Sequence, residues 1–352
     1  MRLLRAGLWP LSIITVLAAA WIVPMPLYLE RPGRLLSLAS CVTVESPRAE
    51  AVEGDYLLTT VNLLPASMVD TLRGIVDDDI AVVARTAVVP PQLDSDEFFD
   101  QQQQLFSSTA EVAAAIGLRA AGMEAEIGGD GVLVRRTLPG SPADGVLAAG
   151  DVITALEGTP LRTDGALREA LAGAPAGAPV AVTFTREDRV REAFIVPTEL
   201  AGRPILGVEV QTLNPRVDLP VPVTVDSGTI GGPSAGLMIA VTVYDKVTPR
   251  IDLAAGRRVA GTGSIDEEGR IGPIGGIRQK VIAAERDGAD LFLAPASQLA
   301  EAEAGLSGPS LDVVGVADFD DAVRALRDTA SGQAAGTSGA GEPPACPFAD
   351  AA

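Results

Sequence analysis

The chain opens with an uncharged and mostly apolar stretch from Ala6 to Leu29. Its apolar centre, residues 11–23, approaches the roughly 20 residues that a helix needs to cross a bilayer. Arg2 and Arg5 precede the stretch, so the positive-inside tendency predicts a cytoplasmic amino terminus and an extracytoplasmic remainder. Residues 1–30 are therefore predicted to be a cytoplasmic tip and a single-pass transmembrane anchor in the cell membrane. A cleaved signal peptide is the alternative, because residues 18–20 are three small alanines.

Residues 31–120 follow as a β-rich lead-in that ends in a helix. The runs 56–61 and 80–84 are rich in β-branched and apolar residues and predict strands, and Pro90-Pro91 marks a break. From Asp94 to about Ala121, apolar residues recur at helical spacing among glutamines and carboxylates.

Residues 121–200 predict a separate small domain of short strands. Strand-like runs at 131–134, 180–184 and 193–196 surround a helix predicted over 164–172. Beyond Leu200 the pattern changes to alternating strands and helices, which predicts an α/β domain over 201–328. Residues 329–352 are dominated by Gly, Ser and Ala and predict a disordered tail. The fold class is thus α+β and multidomain, with an N-terminal transmembrane helix.

Composition excludes several kinds of chemistry. The 352 residues contain no histidine and only two cysteines, so Ser-His-Asp catalysis and histidine or four-cysteine zinc sites are excluded. A formal charge of −19 argues against a nucleic-acid partner. A general base must then be a carboxylate, a lysine, a tyrosine or an amino terminus. Cys41 and Cys346 are a candidate disulfide in an oxidising compartment; the alternative is two unpaired thiols.

One glycine-rich loop, residues 226–236, is a candidate site. Gly231 and Gly232 permit close backbone approach, and Pro233 suits a helix start, so Ser234 would lie where unpaired helix amides point outward. Such amides can hold an oxyanion. No Gly-Lys-Ser/Thr follows, which excludes a P-loop. The alternative is an ordinary helix start with a serine cap.

Lys280 is the second candidate. A strand is predicted over 259–265 and a helix over 277–287, with Lys280 at the edge of the apolar stripe formed by Ile277, Val281 and Ala284. A lysine in such a place usually extends its amine outward to water. However, 25 of the 27 basic residues are arginines, and lysine does what arginine cannot, which is to lose its proton. Lys246, the other lysine, is predicted to be an ordinary surface residue.

Two family resemblances follow from these motifs. Residues 140–143 (Gly-Ser-Pro-Ala), residues 150–153 (Gly-Asp-Val-Ile) and Gly158 resemble the PDZ domains of bacterial proteases. This resemblance implies a groove that binds an extended peptide by strand addition. The usual carboxylate-binding loop is not recognisable near residues 127–130, so a purely structural role is the alternative.

The second resemblance, over about 207–326, is to the proteolytic domain of Lon-type proteases. It is carried by residues 232–236 (Gly-Pro-Ser-Ala-Gly), by Thr262-Gly263 and by residues 273–280. It implies a Ser-Lys dyad in which Ser234 is the nucleophile, Lys280 is the base and Thr262 orients the amine. Gly232, Pro233 and Ala235 would form the backbone oxyanion region. Many Lon enzymes carry an acidic residue where this chain has Gly231, so no mechanism here can use that carboxylate.

The combined architecture resembles the membrane-anchored PDZ-Lon proteases of bacteria. It implies a serine endopeptidase that hydrolyses unfolded or flexible extracytoplasmic polypeptides without a metal or other cofactor. It also implies a hexameric ring. The absence of a Walker A motif predicts that ATP is not used. The alternative is a catalytically inactive, membrane-tethered PDZ scaffold that binds peptides.

Overall fold

The computed structural model describes residue 21 and residues 23–90, 93–174, 177–200, 202–249, 252–332 and 343–348. They divide into two compact units. The first unit combines Met1–Met123 with Pro220–Ala352, and the second, Glu124–Leu219, is inserted between them in the sequence.

The amino-terminal part of the first unit contains long strands and one long helix. Its elements are β1 Pro24–Ser37, α1 Leu38–Cys41, β2 Val42–Val44, β3 Asp55–Ser67, α2 Met68–Val76, β4 Ala81–Ala84, α3 Arg85–Val88 and α4 Ser95–Ala120. The long helix α4 begins where the sequence predicts it, because the Asp94 carboxylate caps its first turn by accepting the Glu97 N–H at 2.8 Å.

The second unit consists mainly of short strands. Its elements are β5 Glu126–Gly128, β6 Val132–Thr137, β7 Val152–Leu156, β8 Thr159–Pro160, α5 Asp164–Ala172, β9 Val180–Arg186, β10 Arg189–Ile195, β11 Thr198–Leu200, β12 Arg203–Ile205, β13 Val208–Thr212 and β14 Arg216–Asp218. The main sheet has the strand order β10-β9-β7-β6-β13, with β8 paired to β7. Alternate residues of these strands and one face of α5 form its apolar core. Asp151, from the Gly-Asp-Val-Ile motif, is buried and paired with Arg186 at 2.6 Å.

The carboxyl-terminal part of the first unit alternates strands and helices. Its elements are β15 Val223–Val225, a 3₁₀ turn Pro233–Ala235, α6 Gly236–Val247, β16 Arg258–Gly261, β17 Ser264–Ile265, β18 Ile271–Gly272, α7 Ile277–Arg286, β19 Leu291–Pro295, a 3₁₀ turn Ala296–Gln298, α8 Leu299–Glu303, β20 Asp312–Val316 and α9 Phe319–Gly332. The strand predicted over 259–265 is interrupted after Gly261, so that Thr262 and Gly263 lie between β16 and β17.

The first unit is built on one mixed sheet with the strand order β20-β19-β16-β3-β1-β4. β20, β19, β16 and β3 are parallel neighbours, whereas β3, β1 and β4 pair antiparallel. All five residues of β19 are buried, as expected for a parallel strand covered on both faces. Helix α6 is mostly apolar and is buried almost completely.

This sheet changes the predicted domain boundaries. The lead-in 31–120 was predicted as a segment separate from 201–328, but β3 pairs with β16 through Tyr56 and Val259, so both belong to one unit. The inserted unit also extends further than the predicted 121–200, because β13 pairs with β6. Strand-like patterns predict strands but not their partners, so the sequence did not show this pairing.

From Pro24 onward, the predicted membrane anchor is a strand. β1 starts at Pro24, and Leu29 pairs with Leu64 on β3 and is buried with Tyr28. Residues 1–20 and Ile22 lie outside the described residues. In the ranges that the structure describes, no helix has the length and apolar character needed to cross a bilayer. The predicted single-pass membrane location is therefore wrong. Residues 24–29, at the end of the apolar stretch, belong to strand β1 in the interior of the sheet.

The two cysteines are joined by a disulfide. Cys41 is buried at the end of α1, and its sulfur bonds to Cys346, 305 positions later in the chain. Of the predicted disordered tail, residues up to Gly332 continue α9, and 333–342 and 349–352 lie outside the described residues. The disulfide therefore fixes the described segment 343–348 to the first unit.

Candidate active site

Ser234 lies at the start of the buried helix α6. Gly232 precedes it with φ 92°, a backbone conformation that favours glycine, and Pro233 opens the 3₁₀ turn. The Gly232 N–H donates to the Gln102 carbonyl oxygen of α4 at 2.8 Å. A Cβ on residue 231 would lie 2.8 Å from the Gln102 Cβ, so only glycine allows the loop to lie this close to α4. The nucleophile loop, residues 226–236, is thus held in place by α4.

Thr262 lies where the chain leaves β16, and it is fully buried. Its backbone N–H donates to the Leu293 carbonyl of β19 at 3.0 Å, which fixes the residue to the sheet. Its hydroxyl donates to the Ser234 carbonyl at 3.1 Å, and the Gly263 N–H donates to the same oxygen at 2.9 Å. The sheet therefore positions Ser234 through its own backbone carbonyl.

Lys280 lies in the first turn of α7. The helix begins after Gly276, which adopts the left-handed conformation with φ 65°. Lys280 faces inward with the apolar stripe rather than outward at its edge, and it is only 2% exposed. The alternative of an amine extended to water does not apply, because Ile277, Val281 and Ala284 on the same face are all buried.

The three residues meet at one point. The Lys280 Nζ lies 2.7 Å from the Ser234 Oγ and 2.9 Å from the Thr262 Oγ1. Burial lowers the pKa of Lys280 from its usual value near 10.5 to about 7, while the Glu30 carboxylate raises it and offsets part of this effect. A substantial fraction of the amine is then neutral at neutral pH.

Hydrogen-bond directions in this cluster follow from donor counting. The Thr262 hydroxyl gives its single proton to the Ser234 carbonyl, so it must accept from the Lys280 amine. One N–H of Lys280 is thereby directed at Thr262. The amine lone pair of the neutral lysine is then free to accept the Ser234 hydroxyl proton at 2.7 Å.

The loop residues expected in the oxyanion region contribute unequally. Pro233 has no N–H, and the Gly232 N–H is already bonded to Gln102. Ala235 is buried in the 3₁₀ turn. The backbone amide of Ser234, at the start of the helix, is the donor best placed for an oxyanion near its own Oγ.

Lys246 differs from its prediction. It is half-buried at the end of α6, donates to the Ala39 carbonyl at 2.8 Å, and its pKa is lowered by burial. It is a structural contact between α6 and α1 rather than an ordinary surface residue.

Two residues near the site were not found from the sequence. Gln102 acts through its backbone carbonyl, which no side-chain pattern indicates. Glu30 directly follows the apolar stretch, a place that gives no sign of a catalytic role, although its carboxylate raises the pKa of Lys280.

Comparisons with known proteins agree with both resemblances. Residues 212–306 match the Lon protease (S16) C-terminal proteolytic domain, and residues 114–196 match the PDZ domain. The Lon protease of Mycolicibacterium smegmatis is 38% identical over 96 residues, which are 26% of this chain and 11% of that protein. Lon protease 4 of Sorangium cellulosum is 34% identical over 151 residues, which are 40% of this chain and 18% of that protein.

The chain contains a Lon-type proteolytic domain and a PDZ domain. The Lon-type match covers Ser234, Thr262 and Lys280, and from residue 220 onward it belongs to the first unit. These matches support a serine endopeptidase. The chain spans less than a fifth of the length of the curated relatives described above.

Proposed function

We propose that this chain is an ATP-independent serine endopeptidase that hydrolyses unfolded or flexible polypeptides with a Ser234-Lys280 dyad. The observation that carries the proposal is the 2.7 Å contact between a hydroxyl and a buried amine whose pKa is lowered to about 7. A buried, partly neutral amine beside a serine is what nucleophilic catalysis requires when no histidine is present.

The mechanism has two halves. In acylation, Lys280 takes the Ser234 proton, Ser234 Oγ attacks the peptide carbonyl, and the Ser234 N–H stabilises the oxyanion. The Lys280 ammonium then protonates the leaving amine, which releases the first product. In deacylation, water attacks the acyl-serine, Lys280 accepts its proton, and return of a proton to Ser234 Oγ restores the enzyme.

The proposed substrates are chains that need no mechanical unfolding. No Walker A sequence occurs in the chain, and neither of its two lysines follows a glycine as that motif requires. The PDZ domain is proposed to bind extended peptide segments, since β10 and β13 form the edges of its main sheet and an edge can accept another strand. By resemblance, the protein is proposed to assemble as a hexameric ring.

The experiment that tests this proposal uses the full chain and an unfolded, alkylated protein carrying a fluorophore. We expect cleavage at internal bonds without nucleotide, and little cleavage of the same protein in its compact folded state. Mass spectrometry of the products distinguishes internal cleavage from trimming at the ends. No cleavage of the unfolded chain, or a strict requirement for ATP, would contradict the proposal.

Thr262 is expected to matter through its hydroxyl. Replacement by valine keeps the volume but removes both the acceptor for Lys280 and the donor to the Ser234 carbonyl. We expect kcat/KM to fall roughly 10- to 100-fold, because small displacements of catalytic groups are costly. Thr262→Ser, which retains the hydroxyl, is the matched control and should retain most activity. Equal activity of the valine variant would mean that Thr262 does not orient the amine.

A further inference from the structure

Glu30 brings a carboxylate from the amino-terminal part of the chain to the helix that carries Lys280. It lies on β1, opposite Leu63 of β3 and Ala81 of β4. Its Oε2 lies 3.6 Å from the position that a Cβ would occupy on Gly276. The Gly276 carbonyl in turn accepts the Lys280 backbone N–H at 3.1 Å. The Glu30 carboxylate therefore lies beside the first turn of α7, which carries Lys280.

The charges around this turn are few. The nucleophile loop has no charged side chain between Ser227 and Ala235. Arg278, the nearest charged neighbour of Lys280 along α7, is exposed. Among the described residues, Glu30 is the charged group whose field acts on the Lys280 amine. Burial raises the pKa of Glu30, repulsion from Glu301 on α8 raises it further, and Lys280 lowers it. The two groups thus influence each other directly.

A charge near Lys280 has a different effect before and during the reaction. The resting amine must be neutral to accept a proton, yet it becomes an ammonium once Ser234 attacks. An ammonium that is 2% exposed and has no counter-charge is unfavourable. A fixed carboxylate stabilises the ammonium much more than the neutral amine, so its contribution is larger in the transition state than in the ground state.

We propose that Glu30 is a positioning residue for the dyad, which stabilises the ammonium that Lys280 becomes when it takes the Ser234 proton. This inference rests on the proposed function. It assigns a catalytic contribution to the amino-terminal strand β1, which lies outside the segment matched to the Lon proteolytic domain.

The test compares kcat/KM of the full-length wild type and Glu30→Gln between about pH 5.5 and 9.5, with the labelled unfolded protein as substrate. Removing the carboxylate disfavours the ammonium, so the acidic limb should move to lower pH by roughly 0.5–1 unit. For the same reason the plateau of kcat should fall roughly three- to tenfold, since one pKa unit corresponds to a factor of ten. KM should stay unchanged, because the substitution changes the charge beside the base and not a group proposed to bind the substrate.

Two further variants keep the result interpretable. Glu303→Gln makes the same change of charge on an exposed residue of α8, and its profile should superimpose on that of wild type. Glu30→Asp shortens the side chain by one methylene and keeps the carboxylate. The acidic limb should therefore move in the same direction as in Glu30→Gln, but by less. It also replaces Glu30→Gln as the deciding variant if the glutamine protein does not fold.

An acidic limb that stays in place in Glu30→Gln and Glu30→Asp, with or without a loss of rate, would overturn this inference and leave the proposed function intact. Failure of the proposed function itself would appear differently. In that case wild type would not cleave the substrate, or Ser234→Ala would cleave as fast as wild type.

Discussion

Replacement of Ser234 by alanine is expected to reduce kcat/KM by roughly 10⁴-fold or more, because the other hydroxyl at the Lys280 amine, that of Thr262, is fully buried and donates to the Ser234 carbonyl. The folded structure should be retained. Ser234 Oγ contacts Lys280, but the contacts that hold the loop are made by backbone atoms of Ser234 and Gly232. Circular dichroism and thermal unfolding can verify the fold, while cleavage of the labelled unfolded protein measures activity.

The matched control for Ser234→Ala is Ser227→Ala. Ser227 lies in the same loop but outside the Lys280 cluster, and the variant should retain activity close to wild type. Mass spectrometry adds a direct measurement, since an acyl-enzyme should be trapped on Ser234 in wild type and be absent from Ser234→Ala. Undiminished cleavage by Ser234→Ala would eliminate Ser234 as the nucleophile.

Lys280 is expected to be almost as important, and two variants separate its chemistry from its packing. Lys280→Arg places a guanidinium that cannot lose its proton at this buried position, and Lys280→Met fills the position with an apolar chain. Both should reduce kcat/KM by about 10²–10⁴-fold, the usual contribution of a general base. A double variant that combines Ser234→Ala with either Lys280 substitution should have about the same kcat/KM as Ser234→Ala alone, because the two residues act as one unit.

The pH dependence follows from the same amine. Since burial lowers the pKa of Lys280 to about 7, kcat/KM of wild type should fall tenfold per pH unit below that value and level off above it.

The stability of the protein should depend on pH for the same reason. The pKa of Lys280 is lower in the folded than in the unfolded protein, so between about pH 7 and 10 the unfolded chain binds one more proton. The stability of wild type relative to Lys280→Met should therefore rise with pH across that window, by about 1.4 kcal/mol per unit.

Besides its loss of activity, Lys280→Met is expected to be more stable than wild type at pH 7, since it removes the cost of burying an amine. An active Lys280→Met enzyme would show that the lysine does not serve as the base. If the stability difference between wild type and Lys280→Met did not change with pH, the pKa of Lys280 would not be lowered in the folded protein.

Several parts of the site could be predicted from the sequence because they depend on local rules. A glycine-proline-serine run before an apolar helix positions a hydroxyl at a helix start, whatever the rest of the fold is. The absence of histidine left few candidate bases, and the rarity of lysine drew attention to Lys280. The helix over 164–172 was predicted with its observed bounds, because Thr163 caps it and its apolar residues keep helical spacing.

The errors have a common physical origin. Apolar residues that end at Leu29 are equally compatible with a bilayer and with the interior of a sheet, and local pattern does not distinguish these environments. The position predicted for Lys280, at the edge of the stripe formed by Ile277, Val281 and Ala284, also rests on local pattern alone. In the fold, the sheet that includes β1 and β3 leaves it 2% exposed.

The sequence by itself indicated the two domain types and the residues proposed as nucleophile, base and supporting threonine, because the family resemblance is carried by short motifs of defined residue type and spacing. Only the tertiary structure decided that β3 joins the sheet of the proteolytic domain, that α4 holds the nucleophile loop, and that Glu30 faces α7. It also set the pKa of Lys280, since burial and the field of a carboxylate 250 positions earlier in the chain arise from long-range packing.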